Sequence, residues 1–183
     1  MTSEHAPPAF ILPVALLSQG FALRPETDAD IPVLMRIYAS TREEELAPVP
    51  WSEEQKQEFV AQQFEAQRAH YRKFFADCAF DVIEECGTPA GRLYLQVRQT
   101  QLHVIDVTLL PQWRRRGIGT AILEALQETG RARGKGVGIM VEKFNPALQL
   151  YERLGFKPIA DHGVYLEMEW VADSAADRAA AAE

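Results

Sequence analysis

The sequence is short of cysteine: Cys78 and Cys86 are its only two, and neither belongs to a C-x-x-C or lies near a histidine pair. That excludes a zinc site and a disulfide framework, and leaves two buried thiols of a reducing compartment as the expectation. Positive charge is also in deficit, with 19 Lys and Arg against 26 Asp and Glu, a net charge of −7. Binding a polyanion depends on excess Lys and Arg, so a nucleic-acid partner is not expected. Long hydrophobic runs are missing. The nearest, AFILPVALL, follows Glu4 rather than a basic residue, is broken by Pro13, and is far below the roughly 18 apolar residues of a membrane span. The sequence therefore predicts neither a secretion signal nor a membrane partner, and a cytoplasmic location.

What is present suits one globular domain: 47% hydrophobic and 25% charged residues over a chain of 183. Residues 1–19 read as a lead-in, with Phe10 to Leu17 available as an extra strand or a contact with a second copy. Residues 173–183, DSAADRAAAAE, form an Ala-rich tail without an apolar stripe, frayed or disordered. Between them, residues 20–172 alternate strand and helix signals. FALR is a strand, and TDAD caps a helix with Pro32 in its first turn. Ser52 and Gln55 form a capping box for a second helix. CAFDVIEE, GRLYLQVR and LHVIDVTLL are extended, and a helix from about Gly117 to Arg133 stops at Gly134. The strand VGIMVE, a helix opening on Asn145-Pro146 and the strand VYLEMEW complete the order. This β-α-α-β-β-β-α-β-α-β succession predicts an α/β sheet with antiparallel and parallel pairs.

Positive charge is concentrated in one place, LLPQWRRRGIGTAIL, where a strand gives way to a helix through two glycines. A helix N-terminus presents unpaired backbone N–H groups and a favourable dipole to an anion, most often phosphate. Gly117 and Gly119 let such a ligand approach the main chain, and Arg114, Arg115 and Arg116 offer charge-assisted hydrogen bonds. The other reading is a solvated turn; strand before, glycines within and helix after favour the diphosphate cradle. GRARGK lacks the spacing and hydroxyl of a P-loop, and GKGVG has helix and strand in the reverse order of a dinucleotide fingerprint.

The stretch Val107 to Ala121, with Arg114-x-x-Gly117-x-Gly119, resembles the signature of the GNAT superfamily of acyl-CoA-dependent N-acetyltransferases, and NPALQLYERLGF resembles its second acyl-CoA motif. The element order from Phe21 to Trp170 agrees. The resemblance implies a mixed, mostly antiparallel twisted sheet of six to seven strands with about four helices, whose splayed central strands bind acyl-CoA. It implies acetyl-CoA as cosubstrate, with backbone contacts at Val107 and Leu109 and diphosphate held by the amides of Arg114, Arg115, Arg116, Gly117, Ile118, Gly119 and Thr120. Asn145 would lie beside the cofactor arm, and Tyr151 near the thioester sulfur as the acid. On structural grounds alone, Asn145 is also a good helix cap and Tyr151 a core aromatic.

Acetyl transfer to an amine needs a proton acceptor, a donor for the oxyanion and a proton for the leaving thiolate. Leu109 N–H is the candidate oxyanion donor. Asp106 is the candidate base, with an arginine-paired strand carboxylate as the equal alternative; His103 ranks below it. A small-molecule or peptide amine is the expected acceptor. Its site falls to the two N-terminal helices and TREEELAPVPW, with Arg42, Glu45, Gln63, Gln67 and Tyr71 as candidate contacts and the run Glu43 to Glu45 as a draw for a cation. The competing function is a silent acyl-CoA-binding or sensor module on the same fold.

Overall fold

The computed structural model describes residues 10–172. The Ala-rich tail lies outside the described residues, as do the first nine residues of the lead-in. Seven strands, β1 (Phe21–Pro25), β2 (Ala79–Glu85), β3 (Thr88–Val97), β4 (Gln101–Leu109), β5 (Gly136–Glu142), β6 (Lys157–His162) and β7 (Tyr165–Trp170), are hydrogen-bonded in the order β1-β2-β3-β4-β5-β7-β6. β1 is antiparallel to β2, and β7 is antiparallel to both β5 and β6, whereas β4 and β5 are parallel. Six α-helices are described: α1 (Val14–Leu17), α2 (Ile31–Ala39), α3 (Glu43–Leu46), α4 (Glu53–Phe74), α5 (Ile118–Arg133) and α6 (Leu148–Arg153). The four longer ones match the expected number; α1 and α3 are single turns.

The chain divides into two compact units. The first, residues 14–94 and 106–119, holds β1, β2, most of β3, the end of β4 and helices α1 to α4. α4 starts at its expected cap, whereas the Thr27 cap opens a 3₁₀ turn, Asp28–Asp30, that leads into α2 at Ile31. Thr27 and Asp30 form a reciprocal capping box, and Asp30 also receives Arg24 at 2.7 and 2.8 Å. Ser52 Oγ accepts from Gln55 N at 3.3 Å while Gln55 Oε1 accepts from Ser52 N at 2.9 Å, a device that contributes about 1 kcal/mol. Leu34, Ile37, Tyr38, Val60 and Phe64 turn the inner faces of α2 and α4 into core. Of the stretch Phe10–Leu17, expected as an extra strand or a contact with a second copy, residues 10–13 are irregular and Val14–Leu17 form α1, so no strand forms there. Pro13 precedes the helical turn, and Ser18 and Gln19 side chains both donate to Ala15 O, which favours a turn over an extended edge.

The second unit, described over residues 10–13, 95–105 and 120–172, holds β5, β6, β7, α6 and most of α5. Ile122, Leu123, Ala125 and Leu126 give α5 its buried stripe, and Val137, Ile139, Val141, Phe156 and Met168 supply the rest of the core. α6 begins at Leu148, later than Asn145-Pro146 suggested, because Asn145 Oδ1 takes Ala147 N at 2.9 Å in a turn ahead of the helix.

Candidate active site

After β4, Leu110 N donates to Ala90 O at 2.8 Å, a 3₁₀ turn spans Pro111–Trp113, and α5 starts at Ile118. Two residues of the intervening loop are left-handed, Arg115 at φ +59° and Gly117 at φ +79°. Arg114 before them is extended, and the loop runs directly into the first turn of α5, where unpaired N–H groups and the helix dipole attract an anion. A Cβ built on Gly117 or Gly119 meets nothing within 4 Å, so open space lies over both glycines. The loop thus fits a diphosphate approaching main-chain amides.

The three arginines do not serve that loop alike. Arg114 Nε donates to Leu109 O at 2.8 Å and its Nη2 to Ser40 Oγ at 2.6 Å. Arg116 Nη2 donates to Glu85 Oε1 at 2.6 Å, beside Trp113 Nε1 on Glu85 Oε2 at 2.8 Å. These contacts hold the Glu85 carboxyl below its usual range, Arg116 first and Trp113 second. All three arginines are exposed, and the guanidiniums of Arg114 and Arg116 brace the loop through these contacts.

The end of β4 presents a second row of main-chain groups. Its parallel ladder with β5 runs from Gln101–Gly136 to Val104–Ile139. Thr108 O and Leu110 N face β3, the former 2.3 Å from the Cβ position of Gly91 and the latter bonded to Ala90. By strand alternation the N–H groups of Val107 and Leu109 face away from β3. Both residues lie beyond the last paired position of that ladder.

Asp106, four residues before Leu110, is deeply engaged. Arg92 Nη2 donates to its Oδ2 at 2.7 Å, with the two side chains 3% and 10% exposed. Tyr71 OH donates to the same oxygen at 3.2 Å and Thr108 Oγ1 to the other at 2.7 Å. Arg92 Nη2 also reaches Gln67 Oε1 at 2.9 Å. Burial opposes the Arg92 charge, but Asp106 outweighs it and the guanidinium is held more firmly protonated than usual. Burial first, then Asp106, raises the Tyr71 hydroxyl well above its ordinary value. Of the two readings of Asp106, the strand carboxylate paired with an arginine is the one this geometry presents. Arg92 was not singled out from the sequence; an arginine amid the apolar residues of GRLYLQV was the available signal.

The acceptor candidates do not form one cluster. Gln67 and Tyr71 join the Arg92–Asp106 network, while Gln63, one turn earlier on α4, is exposed. Arg42 and Glu45 pair with each other at 2.8 Å, and Arg42 Nε donates to Tyr38 OH at 3.2 Å. In the second unit Tyr151 is 5% exposed and packs against Phe156 with ring centroids 5.8 Å apart. His103 is buried with Nδ1 unpartnered, and its pKa is lowered to about 4 by burial and by Arg98, against Glu167. Among the described residues, no group of three His, Cys, Asp or Glu is arranged to hold a metal, and no helix is long and apolar enough to cross a membrane; Cys78 is half-buried and Cys86 exposed, which corrects the expectation of two buried thiols.

The family model for the acetyltransferase (GNAT) family matches residues 35–156, about two thirds of the chain. The chain belongs to the GNAT acetyltransferase family. Among solved GNAT relatives, the PaiA N-acetyltransferase of Thermoplasma acidophilum in complex with coenzyme A shares the fold at a TM-score of 0.62 and 18% identity, over 83% of this chain and 99% of that one. Among curated relatives, an N-alpha-acetyltransferase of Sulfurisphaera tokodaii is 39% identical over 61 residues, 31% of this chain and 36% of that protein. The mouse cysteine-rich protein 2-binding protein is 34% identical over 67 residues, 37% of this chain and 8% of that protein. The match thus spans about a third of the first curated relative and under a tenth of the second.

Proposed function

We propose that this GNAT protein is an N-acetyltransferase that moves an acetyl group from acetyl-CoA to a primary amine. The observation that carries the reading is the loop from Arg114 to Gly119, which turns left-handed at Arg115 and Gly117 and runs into a helix N-terminus with open space over Gly117 and Gly119. Acetyl-CoA, when bound, supplies an activated carbonyl and a thiolate leaving group. The amides of residues 114–120 hold the diphosphate, and the outward backbone of Val107 and Leu109 holds the amide-bearing arm. Leu109 N–H donates to the carbonyl oxygen as negative charge builds there. By resemblance to the family's second motif, Tyr151 gives its proton to the departing sulfur, with Asn145 beside the arm. With Asp106 neutralised by Arg92, the amine proton leaves through water. An alkylamine of pKa near 10.4 must be presented unprotonated at pH 7, at a cost of about 4–5 kcal/mol. The N-alpha-acetyltransferase among the relatives favours an amine at a peptide N-terminus.

The test is thiol release from acetyl-CoA with a panel of amines, alongside direct titration of CoA. Tyr151→Phe is expected to bind CoA normally and to lose at least tenfold in kcat. Full activity of that variant across pH would remove Tyr151 from the chemistry. Tight CoA binding with no transfer to any amine would favour the silent sensor module instead.

A further inference from the structure

α2, α3 and α4 enclose a groove of about 800 Å³ within the first unit. Met35, Ala39, Leu46, Val60 and Ala61 give it an apolar floor. The rim is acidic: Glu43, Glu53, Glu54 and Glu58 stand against Arg36 and Lys56, and Lys56 is drawn to Glu53 at 3.7 Å. That leaves Glu43, Glu54 and Glu58 facing one further cation. The groove is also shallow, since all four of these glutamates and Ala47 are exposed. Small-molecule sites cover most of their ligand, whereas an open apolar channel between helices suits a chain that lays down one apolar face. Exposed apolar surface with a charged rim marks an interaction site, and the sign of the rim selects the partner. The groove also adjoins the proposed transfer machinery: Ala39 is followed by Ser40, whose Oγ receives Arg114 of the diphosphate loop at 2.6 Å.

We propose that this groove docks a basic amphipathic peptide segment, belonging to the acceptor downstream of the amine that is acetylated. The proposal rests on the amine-acetyltransferase reading and narrows its acceptor to a polypeptide. Apolar side chains of the segment fill the floor, and its lysines or arginines meet Glu43, Glu54 and Glu58.

The probe is a fluorescein-labelled amphipathic peptide of leucine and lysine with its α-amino group blocked, compared with its leucine–glutamate counterpart by anisotropy. The lysine peptide is expected to bind, to weaken with salt, and to exceed the glutamate peptide by at least tenfold. Glu54→Gln with Glu58→Gln, and separately Ala61→Trp to fill the floor, should each weaken it fivefold or more with an unchanged thermal midpoint. With an unblocked peptide, the same variants should raise KM for the peptide and leave transfer to a small alkylamine unaltered. Equal binding of both peptides, or binding indifferent to all of these variants, would overturn the groove while intact transfer to alkylamines upheld the enzyme. Peptide binding retained without transfer to any amine would uphold the groove as a peptide site and overturn the acetyltransferase reading.

Discussion

A guanidinium in the middle of an apolar strand is costly unless its charge is met, and Arg92 shows how the cost is offset. Asp106, Gln67 and the aromatic hydroxyl of Tyr71 surround the pair, and Tyr94 lies beneath the guanidinium at 5.2 Å. Removing one partner strands the other. Arg92→Leu is expected to cost about 3–5 kcal/mol in urea unfolding, and Arg92→Leu with Asp106→Leu to recover a large part of it. An unrelieved double variant would mean that the pair itself stabilises the fold. His103 makes the complementary case, a buried group that folding keeps neutral. Its pKa near 4 lies below the ordinary 6.5, so the unfolded chain takes up its proton first as pH falls. The stabilisation is complete above about pH 6.5 and is lost on the way down to about pH 4, with a slope of at most about 1.4 kcal/mol per pH unit. Urea midpoints at pH 7.5 and 4.5 should converge in His103→Gln relative to the parent.

Among elements, β3 and β4 depend on a glycine. A Cβ at Gly91 would sit 2.3 Å from Thr108 O and 3.0 Å from Leu109 Cα, backbone atoms that cannot swing aside. Gly91→Ala is expected to cost about 1–3 kcal/mol and to displace the end of β4, lowering CoA affinity as well as stability. Gly117→Ala acts differently. Space is open there, but φ is +79°, so the variant should fold with a penalty near 1 kcal/mol and bind CoA at least tenfold more weakly in titration calorimetry. Several elements are legible in the sequence because each carries its own local signal: Ser52 with Gln55 for the start of α4, Gly117 and Gly134 for the ends of α5. β6 was passed over because KPIADH is a polar edge strand with a proline and a register shift, which leaves no alternation to read. The cradle was visible as glycines between strand and helix. The diversion of Arg114 to Ser40 and of Arg116 to Glu85 was not, since both partners are distant in sequence and nothing local marks them.

For the whole molecule, a ligand that binds only the folded chain adds to its stability by mass action. CoA at a hundred times its dissociation constant should raise the unfolding free energy by about 2.7 kcal/mol, seen as a higher thermal midpoint, and Gly117→Ala should need more ligand for the same rise. A midpoint indifferent to CoA would leave the cradle without its ligand. The acidic surface, at a net −7, has a parallel role in keeping copies apart. One stretch escapes that protection. Past Val104 the main chain of β4 is still extended, and its outward amides are offered to whatever peptide-like partner arrives first. On the proposed reading a cosubstrate arm built from amide bonds is such a partner, and loading the protein would then guard against self-association: purified without CoA, it should form aggregates sooner on storage than the same preparation kept saturated.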